Sequence, residues 1–133
     1  MIYVTDTHAL VFAATSKRGR LGRNARRIFQ ASNEGRHSIV VPVTVLEEVM
    51  RLIEKRVIRL KVPFSRLAAE MDDSPNFQVQ PYTLEILLEA EGLSSIRDPA
   101  DRVIVATARH LGCALISADE VIQDGGWVET VWE

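Results

Sequence analysis

The sequence predicts an α/β fold of three layers, with a mainly parallel sheet of about five strands between two layers of helices. Two observations carry this expectation. Short β-prone runs alternate with stretches of helical period along the whole chain, the signature of βαβ units joined by right-handed crossovers. The run Ser38-Ile39-Val40-Val41-Pro42 is continuously apolar in its middle rather than alternating, as a strand covered on both faces should be.

Ile2-Tyr3-Val4 reads as the first strand and is closed by Asp6. His8 to Ala14 reads as a helix, with Asp6 or Thr7 as its cap. Lys17 to Gly22 is a basic loop punctuated by glycine, and Asn24 to Ser32 resumes a helical stripe through Ala25, Ile28, Phe29 and Ala31 until Gly35 stops it. Pro42 has no N–H to give a ladder, so the second strand must end there. Thr44 to Val57 is the next helix, and Ser65 to Met71 another behind Pro63. Asp72 to Asn76 has turn composition. Phe77 to Gln80 is a third strand, and Thr83 to Glu91 is helical up to Gly92. The clearest helix is Pro99 to Leu111, with Asp98 as N-cap, proline in first position and Gly112 as the stop. Ala114 to Ile116 is the fourth strand and Trp127 to Val131 the fifth.

The 133 residues suit one domain, 1–133, with a core that needs no staples. No apolar run approaches the roughly 20 residues of a membrane span, and the N-terminus lacks a signal peptide's basic start and long apolar stretch. A cytoplasmic protein is expected. Cys113 has no possible internal partner and reads as a buried structural thiol. Net charge is only -2, but residues 1–66 carry 13 Lys and Arg against 5 Asp and Glu, while residues 67–133 carry 3 against 13. That asymmetry either builds a basic surface for a polyanion beside an acidic site, or simply solvates helix faces.

Four carboxylates carry the functional reading. In open parallel sheets ligands bind beyond the carboxyl ends of the strands. Asp6 and Asp119 follow strands there, and Glu47 and Asp101 sit in the first turns of helices that start at the same edge. Each alone has a bland explanation: Asp6 as a cap, Thr44-Val45-Leu46-Glu47 as a capping box, Asp101 three residues after the cap Asp98, and Asp119 as a turn initiator. Four acids at one edge is what those explanations do not predict. Crowded carboxylates resist ionising unless a cation sits among them, and Mg²⁺ is the hard cation that prefers oxygen ligands and works beside phosphates. Metal-assisted phosphodiester chemistry follows. His8, His37 and His110 have no partner at metal-ligand spacing, and no nucleophile elbow, phosphate loop or dinucleotide fingerprint is present. Arg102 could pair with a carboxylate or reach a phosphate.

Asp6-Thr7-His8-Ala9-Leu10, Thr44-Val45-Leu46-Glu47, Asp98-Pro99-Ala100-Asp101-Arg102 with the helix that follows, and Leu115-Ile116-Ser117-Ala118-Asp119 together resemble the PIN-domain nucleases, and within them the toxin ribonucleases of VapBC-type toxin–antitoxin pairs. The resemblance spans essentially the whole chain. It implies that Asp6, Glu47, Asp101 and Asp119 form the acidic quartet holding Mg²⁺ or Mn²⁺, with Ser117 placing a water or a carboxylate. It also implies hydrolysis of RNA, a homodimer, and a cognate antitoxin gripping the helices between Thr44 and Met71. Two positions depart from the family's habit: Leu46 stands where an aromatic usually precedes the second acid, and Glu48 where an apolar residue is common. Helical phase, with Thr44 as cap and Val45 and Val49 turned to the core, selects Glu47 over Glu48. From charge alone, Arg18, Arg20 and Arg23 are candidates for RNA capture. Other readings remain open: an RNA-processing nuclease that is not a toxin, or a catalytically weak binding module.

Overall fold

The computed structural model describes residues 1–133. The chain runs β1 (Ile2–Thr5), α1 (Thr7–Ala14), a 3-10 turn (Arg18–Arg20), α2 (Arg23–Asn33), β2 (Ser38–Pro42), α3 (Val43–Glu54), α4 (Phe64–Asp73), β3 (Phe77–Gln80), α5 (Leu84–Glu91), α6 (Pro99–Leu111), β4 (Ala114–Ile116), α7 (Glu120–Gly125) and β5 (Thr130–Val131). The sheet order is β3-β2-β1-β4-β5, and every pairing is parallel. Helices therefore supply every crossover, as the alternation of periods predicts, and the three-layer α/β expectation holds.

The core is one cluster of 26 buried apolar residues. Val4, Ile39, Val41, Leu115 and Ile116 of the inner strands lie at its centre with Val45, Ile86, Ile104 and Val105 from the covering helices, all fully shielded from solvent. Burying side chains of this size contributes roughly 1.5–3 kcal/mol each. The central strands β1, β2 and β4 are thereby fixed in register, and their carboxyl ends become a rigid edge. Strand order reverses at β1, whose neighbours are β2 and β4, so the crevice that such a reversal opens lies at Asp6.

Several boundaries differ from the sequence reading, each for a local reason. Helix α3 starts one residue early at Val43, with Pro42 as its N-cap and no side-chain cap bond, so the expected capping box from Thr44 to Glu47 does not form. It ends at Glu54 instead of Val57, because Arg56 turns to φ 58° and the Val57 N–H returns to the Leu52 carbonyl at 2.9 Å. Asp72 and Asp73 extend α4 rather than opening the turn. The fifth strand is only Thr130–Val131, and α7 was not expected. Cys113 is half-buried rather than fully buried, and that partial burial pushes its thiol pKa up.

Candidate metal and active site at the carboxyl edge of the sheet

Asp6 ends β1 and begins α1. Its backbone N–H donates to the Ile116 carbonyl at 3.1 Å, which locks the ends of β1 and β4 together. Its side chain caps α1 by accepting from the Ala9 N–H at 2.9 Å. The residue is 6% exposed, and this burial raises its carboxyl pKa. The Ser117 hydroxyl, the Ala9 N–H and the charge of His8 oppose the shift, and Asp119 adds to it. Ser117 is fully buried one residue past β4. Its hydroxyl lies near enough to Asp6 to lower that carboxyl's pKa, and its Oγ accepts from the Asp119 N–H at 3.1 Å. One hydroxyl thus spaces two acids.

Asp119 caps α7, with Oδ1 accepting from Val121 at 2.9 Å and from Ile122 at 3.2 Å. Asp98 caps α6 by accepting from the Asp101 N–H at 3.0 Å, as the Asp-Pro pair predicts. Asp101, in the first turn of α6, is also strongly perturbed. Desolvation first, then the charges of Asp98, Asp119, Glu48 and Asp6, push its pKa from 3.8 to about 7. Five carboxylates from β1, α3, α6 and α7 therefore share one electrostatic environment. The bland capping roles and the clustering coexist: Asp6, Asp98 and Asp119 cap their helices and still act on the Asp101 carboxyl.

Of the two adjacent glutamates, the one turned toward the other acids is Glu48, whereas the sequence reading expects Glu47. Glu48 accepts a hydrogen bond from the Thr7 hydroxyl and contributes to the shift at Asp101. Glu47 is exposed and pairs with Arg51 at 3.6 Å, one turn along the same helix. Counting along α3 explains the outcome: Val45, Glu48, Val49 and Leu52 are spaced i, i+3, i+4, i+7 on one face, whereas Glu47 lies two residues from both Val45 and Val49. With Glu48 as the acid, Val49 supplies the apolar residue after it. Arg102 likewise differs from expectation. Its Nε donates to the Ala90 carbonyl at 2.8 Å and its Nη2 to the Glu91 carbonyl at 3.3 Å, so it satisfies the open carbonyls at the end of α5 and meets no carboxylate.

The basic residues divide by neighbour. Arg18 donates through Nε to the Ala13 carbonyl at 3.0 Å, which holds the loop after α1. Arg20 lies over the Phe12 ring at 6.0 Å, and Phe12 in turn neighbours His8 and Trp132. Arg23 opens α2 directly after Gly22, where an added Cβ would lie 2.2 Å from the Trp132 carbonyl oxygen. Only glycine permits that approach of α2 to the end of β5. Arg20 and Arg23 thus flank the carboxylate edge on the β5 side.

As ligands the acids offer hard oxygens only, the donor set that Mg²⁺ or Mn²⁺ accepts. A carboxyl held near neutral pKa by burial and by its acidic neighbours is the group such a cation would ionise and hold. In the present rotamers no three of these side chains close around one point, so a cation would draw them inward.

A parallel α/β sheet with hard-oxygen donors collected at its switch point defines a class of protein suited to a divalent cation and an anionic ligand. The chain belongs to the PIN domain family, matching it over residues 3–127. Among solved structures it is similar to VapBC2 of Rickettsia felis, bound to a DNA fragment from its promoter, at TM-score 0.70 and 13% identity over all of both chains. It is also similar to VapC20 of Mycobacterium tuberculosis, a toxin that cleaves the sarcin–ricin loop, at TM-score 0.65 and 22% identity over all of both chains. A third likeness is to FitAcB of Neisseria gonorrhoeae, at TM-score 0.60 and 16% identity over 98% of this chain and 96% of that one. No curated protein is similar enough in sequence to count as a relative.

Proposed function

We propose that the chain is a metal-dependent endoribonuclease that hydrolyses RNA phosphodiester bonds, and that it is the toxin of a VapBC-type toxin–antitoxin pair. The observation that carries the nuclease reading is Asp101, whose pKa of about 7 reflects burial and four surrounding acids at the switch point of a PIN domain. Asp6, Glu48, Asp101 and Asp119 are the proposed ligands of Mg²⁺ or Mn²⁺, with Glu48 in the place expected for Glu47. When bound, the ion lowers the pKa of a coordinated water and neutralises charge on the attacked phosphate. Asp6 and Asp119 are held apart by Ser117, and Glu48 is held by Thr7. These bonds orient the donors that a cation would then draw together.

The toxin reading draws support from the VapBC and FitAB likenesses. A groove of about 490 Å³ between α1, α2 and α4, walled by Leu10, Phe29, Met71 and Phe77 with Arg18 and Arg26 at its rim, suits an amphipathic acidic segment such as an antitoxin would present. Leu84, Leu87 and Leu88 are exposed along α5, an apolar face suited to a second copy of the chain.

The test is cleavage of single-stranded RNA with Mg²⁺ or Mn²⁺, with and without EDTA, by the parent chain and Asp6→Asn. Asparagine caps a helix as well as aspartate, so the variant should fold at least as stably and cleave on the order of 100-fold more slowly. Cleavage indifferent to EDTA, or full activity in Asp6→Asn, would overturn the metal reading.

A further inference from the structure

Beside the carboxylates lies a cleft of about 540 Å³ whose lining includes Glu47, Glu48, Arg51, Lys55, Tyr82 and Asp98. We infer that this cleft is the subsite for the RNA nucleotide next to the scissile phosphate, with its base stacked on Tyr82 and its phosphates met by Arg51 and Lys55. The inference rests on the nuclease reading and adds where the substrate lies.

Three features carry it. First, the cleft adjoins the acid site, because two of its lining residues are bonded to it: Glu48 accepts from the Thr7 hydroxyl next to Asp6, and Asp98 accepts from the Asp101 N–H at 3.0 Å. Second, a polyanion cannot lie against those acids without compensating charge, and α3 supplies it in line. Glu48, Arg51 and Lys55 follow at i, i+3 and i+7 on one face, so the cations stand about 4.5 Å and 10.5 Å along the helix axis from the acid. Lys55 has no ion-pair partner, and Arg51 has only the long, exposed contact to Glu47. Such a contact is worth little and readily yields to a phosphate. Third, Tyr82 is 46% exposed at the mouth of the cleft on the β3–α5 connection. An aromatic ring so placed offers every base a stacking face, and stacking of that kind is sequence-tolerant. A volume of this size accommodates one nucleotide.

The experiment measures steady-state cleavage and equilibrium binding of one single-stranded RNA oligomer by the full chain and by Tyr82→Ala, Tyr82→Phe and Lys55→Gln. Sedimentation is followed in parallel. Tyr82→Ala should raise both KM and Kd about tenfold, the effect lying in KM rather than kcat, and Tyr82→Phe should restore them. Lys55→Gln should flatten the slope of log Kd against log salt by about 0.7. Parent-level KM and salt slope in the variants, with cleavage intact, would overturn the subsite and leave the nuclease standing. Altered sedimentation at unchanged KM would overturn it in favour of a contact between copies. RNA binding weakened by the variants in a chain that cleaves nothing would support the subsite and overturn the catalytic reading. A parent chain that neither binds nor cleaves RNA would overturn both.

Discussion

Thr7 and Glu48 are hydrogen-bonded side chain to side chain across 41 residues of sequence, joining the first turn of α1 to the second turn of α3. Asp6, the residue before Thr7, is the buried acid directly after β1. The bond therefore fixes which face of α3 is presented to the carboxylates. It also gives the two adjacent glutamates unequal standing.

Changing each glutamate to glutamine tests this. Glu48→Gln should lose turnover and Mn²⁺ affinity, on the order of 100-fold, while Glu47→Gln should keep both. Glu47 leaves only an exposed pair with Arg51, worth about 0.3–0.5 kcal/mol at that spacing. A dead Glu47→Gln with an active Glu48→Gln would require α3 to be rotated from its present phase.

The carboxyl of Asp101 makes the metal-free protein sensitive to pH. Its pKa rises from 3.8 to about 7 on folding, so between those values the folded chain holds a proton that the unfolded chain has lost. Stability is then highest below the lower value and falls as pH rises through the upper one. Asp6 is shifted in the same direction. Glu34 has the opposite shift, caused by Arg36, but acts only in more acidic solution and is fully exposed. In EDTA the melting temperature should fall between about pH 4 and about pH 7. Saturating Mg²⁺ or the substitution Asp101→Asn should remove most of that fall. A flat profile in EDTA would mean that the acids do not crowd in solution.

Arg102 separates a structural role from a chemical one. Its guanidinium bonds two carbonyls at the end of α5, and hydrogen bonds from charged donors are worth about 2 kcal/mol. Arg102→Ala should lower stability by roughly that amount and leave turnover per folded molecule unchanged. Lost turnover at full stability would instead place the guanidinium on the substrate.

Elements marked by local chemistry were legible in the sequence. Helix α6 was readable at both ends, because Asp98, Pro99 and Gly112 each impose a backbone state on their own position, and Gly112 does adopt φ 67°. Asp6, Asp101 and Asp119 were readable because strand ends and helix starts share one edge. The phase of α3 was not. Val43, Val45, Leu46, Val49, Met50, Leu52 and Ile53 spread apolar character around much of the helix, and the helix is capped by Pro42 and not Thr44, so the pattern alone does not say which glutamate turns toward Thr7. Helix α7 buries only Ile122, too little to make a stripe. The approach of Tyr82 to α3 arises from tertiary packing, and no local pattern encodes it.

Arg20 and Arg23 should capture RNA without entering the chemistry. Both stand at the carboxyl edge of the sheet beside β5, Arg20 over Phe12 and Arg23 at the start of α2, with no carboxylate holding either. Arg18 differs because its Nε is already engaged by the Ala13 carbonyl. Contacts to single-stranded phosphates release counterions, which lowers the salt slope by about 0.7 for each contact removed. Arg20→Gln with Arg23→Gln should therefore raise KM and flatten the slope by about 1.4, with kcat at saturating RNA little changed. Arg18→Gln should flatten it less and cost loop stability instead. An unaltered slope in the double variant would make these residues solvated surface charge, and capture would then fall to the cations of α3.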